Sequence, residues 1–243
     1  MKRLLGEIRR ADEMYHLIQP GDRVAVGLSG GKDSMALLML LSRYRQFAAH
    51  PFSLHAVSIK LGDPFDLSPV QALCDEWGIP LYVEDIHLLD ALSKEKSPCA
   101  LCARLRRGYL SRIAKDLGCN KLALGHHRED ALETYLMSAL SEGRFYEMQP
   151  LSSMERAGVQ VIRPLIDARE AAIADLARRY QLPVVKNPCP VDGHTNREEM
   201  KELLRDLEKR RPGACDQLCR ALMRQREGGV LHETGSPGRG ETD

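Results

Sequence analysis

The sequence predicts an α/β fold: a parallel, twisted sheet with helices on both faces, preceded by an N-terminal helix and followed by C-terminal helices. Three observations predict it. Apolar, β-branched runs alternate with segments of helix formers long enough to cross over a sheet, as βαβ units require. Polar, glycine-bearing turns follow two of those runs, at the strand ends where open parallel sheets hold their ligands. Hydrophobic residues make up 43% and charged residues 28% of a 243-residue chain, enough for one large core.

An amphipathic helix is predicted over about 4–18, stopped by Pro20-Gly21. Arg23-Val24-Ala25-Val26-Gly27-Leu28 reads as a buried strand, and Met35 to Leu41 as the body of a helix. Strands are expected near 23–28, 54–60, 80–84, 121–125 and 159–163. Helices fill the intervals near 33–46, 66–77, 103–117, 128–141 and 169–180, with two more near 196–210 and 213–226. The division is an N-terminal helix over 1–20, a main domain over 21–227 and a tail over 228–243. The tail is rich in Gly, Ser, Thr and charge and reads as disordered. No internal repeat is visible.

The chain carries no apolar run long enough to span a membrane, and its first ten residues are too charged for a signal-peptide core. Its seven cysteines, an odd number without export signals, argue for reduced thiols or metal ligands. A cytoplasmic protein with no membrane partner is expected. A net charge of +1 neither requires nor excludes a polyanion. Arg104, Arg106, Arg107 and Arg112 fall within nine residues with few acids nearby, and are candidates for contacts to nucleic-acid phosphates. The basic residues from Arg205 to Arg226 are interleaved with acids and suit a solvated, salt-bridged helix.

Ser29-Gly30-Gly31-Lys32-Asp33-Ser34 joins the first strand to the next helix. A strand that ends in Ser-Gly-Gly and turns straight into a helix leaves amide N–H groups at the helix N-terminus with no Cβ over them, which favours an anion. Lys32 adds a positive charge, and Ser29 and Ser34 add hydroxyls. The spacing is not that of a Walker loop, because Asp33 follows the lysine and Val26 stands where the first glycine belongs.

A second group, Gly125-His126-His127-Arg128-Glu129-Asp130-Ala131-Leu132-Glu133, follows the strand near 121–125. It lies beside the phosphate loop in such a topology. Asp130 and Glu133, three apart on one helical face, suit Mg²⁺ or nucleotide positioning. Zinc spacing of the His-Glu-x-x-His kind is absent.

A third group is Cys99-Ala100-Leu101-Cys102 with Cys189 in Asn187-Pro188-Cys189-Pro190. Redox chemistry, structural zinc and a cubane cluster with three protein ligands all remain open for it. Cys74 and Cys119 read as inert core thiols, and Cys215 and Cys219 as packing residues or weak ligands.

The Ser29–Ser34 loop resembles the pyrophosphatase loop, or PP-loop, of the ATP α-hydrolases. Together with Cys99 to Gly108, Leu124 to Asp130, Ile162-Arg163-Pro164-Leu165, Pro188-Cys189 and Leu204-Arg205-Asp206, it resembles the tRNA 2-thiocytidine synthetase family over roughly 20–225. One departure is visible: Cys189-Pro190-Val191-Asp192 keeps only the first cysteine of a pair that family members often carry.

The resemblance implies a PP-loop fold and ATP-dependent thiolation of tRNA. It implies a 4Fe–4S cluster on Cys99, Cys102 and Cys189, and a sulfur donor such as a cysteine desulfurase or inorganic sulfide. ATP is expected on Ser29, Gly30, Gly31, Lys32, Asp33, Ser34, Gly125 and His126. Lys32, Asp33 and Asp130 are the expected catalytic groups, the two aspartates with Mg²⁺. Arg104, Arg106 and Arg107 are expected to meet tRNA, and a homodimer is compatible with the pattern. A PP-loop ligase without sulfur chemistry, or a non-catalytic nucleotide- or cluster-binding module, are the competing expectations.

Overall fold

Strand β1 (Arg23–Leu28) lies in the middle of a six-stranded sheet ordered β3-β2-β1-β4-β6-β5, in a computed structural model of the chain. The structure describes residues 1–60, 66–86, 98–154, 158–185 and 196–233, with side chains described outside 98–100 and 227–233. The other strands are β2 (Ser53–Lys60), β3 (Leu81–Asp85), β4 (Lys121–Ala123), β5 (Leu151–Met154) and β6 (Val159–Ile162). Eight helices are described: α1 (Lys2–Tyr15), α2 (Lys32–Tyr44), α3 (Ser68–Glu76), α4 (Pro98–Asp116), α5 (Arg128–Glu142), α6 (Glu170–Arg179), α7 (Asn196–Arg210) and α8 (Ala214–Glu233).

β1 pairs in parallel with β2 on one side and β4 on the other, with Val26 opposite both Ala56 and Ala123. Its side chains alternate between two cores. Val24, Val26 and Leu28 join α1, α2, α3 and α6 on one face, while Ala25 packs with Ile113 and Ala114 of α4 on the other. A strand buried on both faces must be apolar throughout, which is why it reads as an uninterrupted run. A smaller cluster of Leu132, Leu204, Cys219 and Leu222 joins α5, α7 and α8.

All five expected strands form. The sixth, β5, is an addition: four residues on the sheet edge, antiparallel to β6. So short a segment, Leu-Ser-Ser-Met, carries no hydrophobic period of its own and is ordered by pairing. The C-terminal expectation needs correction as well. α8 continues through Gly228 and Gly229 to Glu233. The rest of the expected tail, 234–243, lies outside the described residues. No described helix is long and apolar enough to cross a membrane.

The order of the strands decides where a ligand can sit. β2 follows on one side of β1 and β4 returns on the other, so the crevice outside the carboxyl ends of β1 and β4 is the switch point of the sheet.

Candidate nucleotide site

The turn after β1 is built to stay open. Gly30 has φ +81°, and a Cβ there would stand 2.6 Å from the Val185 carbonyl oxygen. Only glycine meets both conditions. Gly30 is held in place by its own carbonyl, which accepts the Val185 N–H at 2.9 Å. The serines fasten the turn to itself: Ser34 Oγ donates to the Gly31 carbonyl at 2.9 Å and accepts the Ser29 N–H at 3.2 Å. Their hydroxyls, expected to face phosphate, therefore also shape the cradle. The first intrahelical bond of α2 runs from Met35 N–H to Gly31 C=O, leaving the amides of the first turn to an outside acceptor.

The turn after β4 closes against this cradle. A Cβ on Gly125 would lie 3.0 Å from both the Asp33 carbonyl and the Ser34 nitrogen, so glycine lets the two backbones touch. The result is a pocket of about 250 Å³, lined by Ser29, Asp33, Ser34, Arg106, His126 and Asp130 among others. Asp33 Oδ1 is buried there without a hydrogen-bond partner, as is His126 Nδ1. Burial, against the pull of Asp130 and with Arg163 and Arg197 adding to it, holds the His126 pKa down and keeps the imidazole neutral.

Lys32 is held between two carboxylates and is not among the residues that line the pocket. Its Nζ lies 3.0 Å from Asp33 Oδ2 and 2.8 Å from Glu170 Oε1, and these carboxylates outweigh burial to raise its pKa. Glu170 is fixed in turn, since its N–H donates to Glu129 at 2.9 Å. Glu129 also sits 3.2 Å from His127 Nδ1. Burial opposes charge on His127, but Glu129 and Asp130 prevail and its pKa rises. Glu129 falls within the second sequence group without a role of its own, and Glu170 does not stand out in the sequence, because only the fold brings the start of α6 to the start of α2.

Asp130 reaches the pocket, but it is also the capping carboxylate of α5, accepting the His127 N–H at 3.0 Å. Its other oxygen is 3.3 Å from Arg197 at the start of α7. Among the described residues, no group of three or more His, Cys, Asp or Glu is arranged to hold a metal. A magnesium ion is normally held by one or two carboxylates plus substrate phosphates, which two aspartates in one pocket would suit.

The three arginines separate. Arg106 lines the pocket, whereas Arg104 and Arg107 are exposed on α4. Cys102 is half-buried near the start of α4, packed against the second core, and Cys99 lies one helical turn before it. Cys189 and the Cys99 side chain lie outside the described residues. The residues flanking the Cys189 segment are described, and both ends meet the site: Val185 bonds to Gly30, and Arg197 reaches Asp130. Cys74, Cys119 and Cys219 are buried in the three cores, as expected of packing thiols, and Cys215 packs partly buried beside Cys219.

Residues 6–207 match the PP-loop domain family. The tRNA-cytidine(32) 2-sulfurtransferase of Geobacter sulfurreducens is 39% identical over 228 residues, which cover 91% of this chain and 89% of that protein. The protein of the same name from Chelativorans is 37% identical over 238 residues, covering 95% and 83%. A solved structure of the U34-tRNA thiolase NcsA from Methanococcus maripaludis, with its 4Fe–4S cluster, is 26% identical with a TM-score of 0.74. It covers 93% of this chain and 78% of that one. The fold alone is shared with an NH3-dependent NAD synthetase from Campylobacter jejuni, at 17% identity and a TM-score of 0.51, over 99% and 98% of the two chains. A phosphate cradle at the switch point, a carboxylate pair across it and a match over most of the chain agree: the protein belongs to the PP-loop family and, within it, to the family of the tRNA-cytidine(32) 2-sulfurtransferases.

Proposed function

We propose that the chain is an ATP-dependent tRNA thiolase that converts the 2-carbonyl of a cytidine to a thiocarbonyl. One observation carries this: the cradle, Asp33, Asp130 and Arg106 line a single pocket, and Arg106 belongs to the helix that begins with Cys99 and Cys102.

The amides of Gly30 and the first turn of α2 hold the phosphates of ATP. The cytidine 2-oxygen attacks the α-phosphorus, the bond to the bridging oxygen breaks, and pyrophosphate leaves. Lys32 and Arg106 face the charge that develops on the transferring phosphoryl group. Lys32 keeps its proton throughout, because Asp33 and Glu170 hold its pKa up. Neutral His126 offers a hydrogen bond to the nucleotide without adding charge.

Asp33, through its unpartnered Oδ1, and Asp130 would hold Mg²⁺, which when bound neutralises the phosphates. Cys99, Cys102 and Cys189 would hold the 4Fe–4S cluster. Thiolates at the start of a helix are stabilised by its dipole, so the donor chemistry fits a cluster. When bound, the cluster supplies one iron without a protein ligand and so a point of delivery for sulfide. Sulfide then adds to the activated carbon and AMP departs with the former carbonyl oxygen. Inorganic sulfide is the donor, or a cysteine desulfurase together with a thiol reductant that releases its persulfide sulfur as sulfide, and the cytoplasm is where the tRNA is met.

Anaerobically purified protein, unmodified tRNA, ATP, Mg²⁺ and sulfide test the proposal, with nucleosides read by mass spectrometry and pyrophosphate by a coupled assay. Thiocytidine and pyrophosphate should appear together. Lys32→Ala should lose both and still unfold cooperatively, since Lys32 supports no core and forfeits only its part-exposed ion pairs with Asp33 and Glu170. Pyrophosphate without a thionucleoside would leave a ligase; neither product would overturn the proposal.

A further inference from the structure

We infer that the loop Arg144-Phe145-Tyr146, just after α5, is a stacking platform for unpaired bases of the RNA substrate beside the nucleotide pocket. The inference rests on tRNA being the substrate and adds the surface that receives it.

Phe145 is 80% exposed, in a chain with four phenylalanines. It is not loose. Its ring stacks on Tyr135 with centroids 5.7 Å apart and planes at 15°, so one face is covered and the other is left to solvent. Arg144 lies over the Tyr146 ring at 5.5 Å. Tyr146 N–H donates to Ser138 Oγ at 3.0 Å, and Arg144 N–H donates to the Ser138 carbonyl at 3.1 Å. Met148, buried just beyond, and the pair between Arg226 and Glu147 fasten the far end. Rings held this way lose little further entropy when a third plane stacks on them.

The loop is also correctly placed. Arg163 is buried and donates to the Gln149 carbonyl at 2.7 Å. It directly follows Ile162 of β6, whose carbonyl accepts the Leu124 N–H at 3.0 Å, and Leu124 and His126 both line the pocket. The Arg163 charge also acts on Tyr146 of the loop. Arg144, ion-paired with Glu142 at 2.6 Å, lies over the Tyr146 ring, and buried Arg163 adds positive charge near Tyr146, with exposed Arg107 near Arg163 in turn. Aromatic faces flanked by arginine are what unpaired RNA bases and their phosphates bind. A base drawn into the pocket must leave its stack, and a platform next to the entrance gives its neighbours a replacement.

Anisotropy of labelled tRNA with the full-length protein, over a series of KCl concentrations, tests this. Phe145→Ala should weaken binding about tenfold, as loss of one base–aromatic stack does. The salt slope should not change, because no phosphate contact is removed. ATP binding should be unaffected, and Phe145→Trp should restore affinity. Arg107→Ala should instead lower the slope by about 0.7–0.9. Equal tRNA affinity of Phe145→Ala and wild type would overturn the platform while leaving the thiolase intact. A fall from dimer to monomer in sedimentation of Phe145→Ala would assign the ring to a second copy and also overturn it. No tRNA binding by wild type would overturn the thiolase proposal and the platform with it.

Discussion

Glu133, on the α5 face that meets α7, is 4% exposed, and its Oε2 makes no hydrogen bond, lying 3.7 Å from Arg197 Nε. Burial first and Asp130 second raise its pKa to about 7, against the pull of Lys201, Arg197 and His127. Between the ordinary carboxyl value and about 7, the folded protein binds the extra proton, so stability should fall as pH rises through that window and level off above it. The shift bounds the loss at roughly 3 kcal/mol. Glu133→Gln should flatten the profile and raise stability at pH 8 relative to wild type, read by urea unfolding of nucleotide- and magnesium-free protein; parallel profiles would refute it. The spacing of Asp130 and Glu133 was legible in the sequence, but not that one would cap the helix and the other be buried with its pKa raised. The arginine run has the same limit. Arg106 and Arg107 are adjacent in sequence, and only the path of α4 turns one into the pocket and the other to solvent.

Elements were more legible than side chains because their signals are local. Each expected strand and helix forms, since a buried strand and a crossover helix each carry their own apolar period. β5 escaped because an edge strand of four residues is decided by its partner. The strand–turn–helix unit of β1 and α2 is the most strongly determined element, and it yields a prediction. Gly30→Ala would combine left-handed strain with a 2.6 Å approach to the Val185 carbonyl, and relief requires moving the turn. ATP affinity should fall at least tenfold. Gly78→Ala has a similar φ of +62° but nothing within 4 Å, so it should lose about 1–2 kcal/mol of stability and keep ATP affinity. Isothermal titration of both variants separates the effects, and equal ATP affinities would show that the turn does not form the cradle.

Across the whole molecule, the cysteines divide by position in the sheet. Cys74, Cys119 and Cys219 are sealed in the cores, and burial pushes their thiols up, Cys74 and Cys219 to about 11. Protonated thiols in apolar surroundings are poor ligands. Cys99 and Cys102 begin the helix whose next turns reach the pocket, and the segment holding Cys189 is flanked by residues bonded to Gly30 and Asp130. The sequence could name those three only through family resemblance, because their spacing alone leaves zinc and redox chemistry open. The described residues add a physical reason: Arg106, one turn after Cys102, lines the pocket, and the residues flanking the Cys189 segment bond to Gly30 and Asp130. Replacing any one with Ala should remove iron and thiolation together, since a cubane left with two protein ligands is labile, while ATP binding survives. Cys74→Ala and Cys219→Ala should lose on the order of 1 kcal/mol of stability through the cavity left behind and keep full iron content. Iron analysis of anaerobic preparations, beside ATP titration and nucleoside mass spectrometry, distinguishes the two sets. Full iron in Cys189→Ala, or iron loss in a folded Cys74→Ala, would move the cluster to other ligands and detach sulfur delivery from the edge where ATP binds.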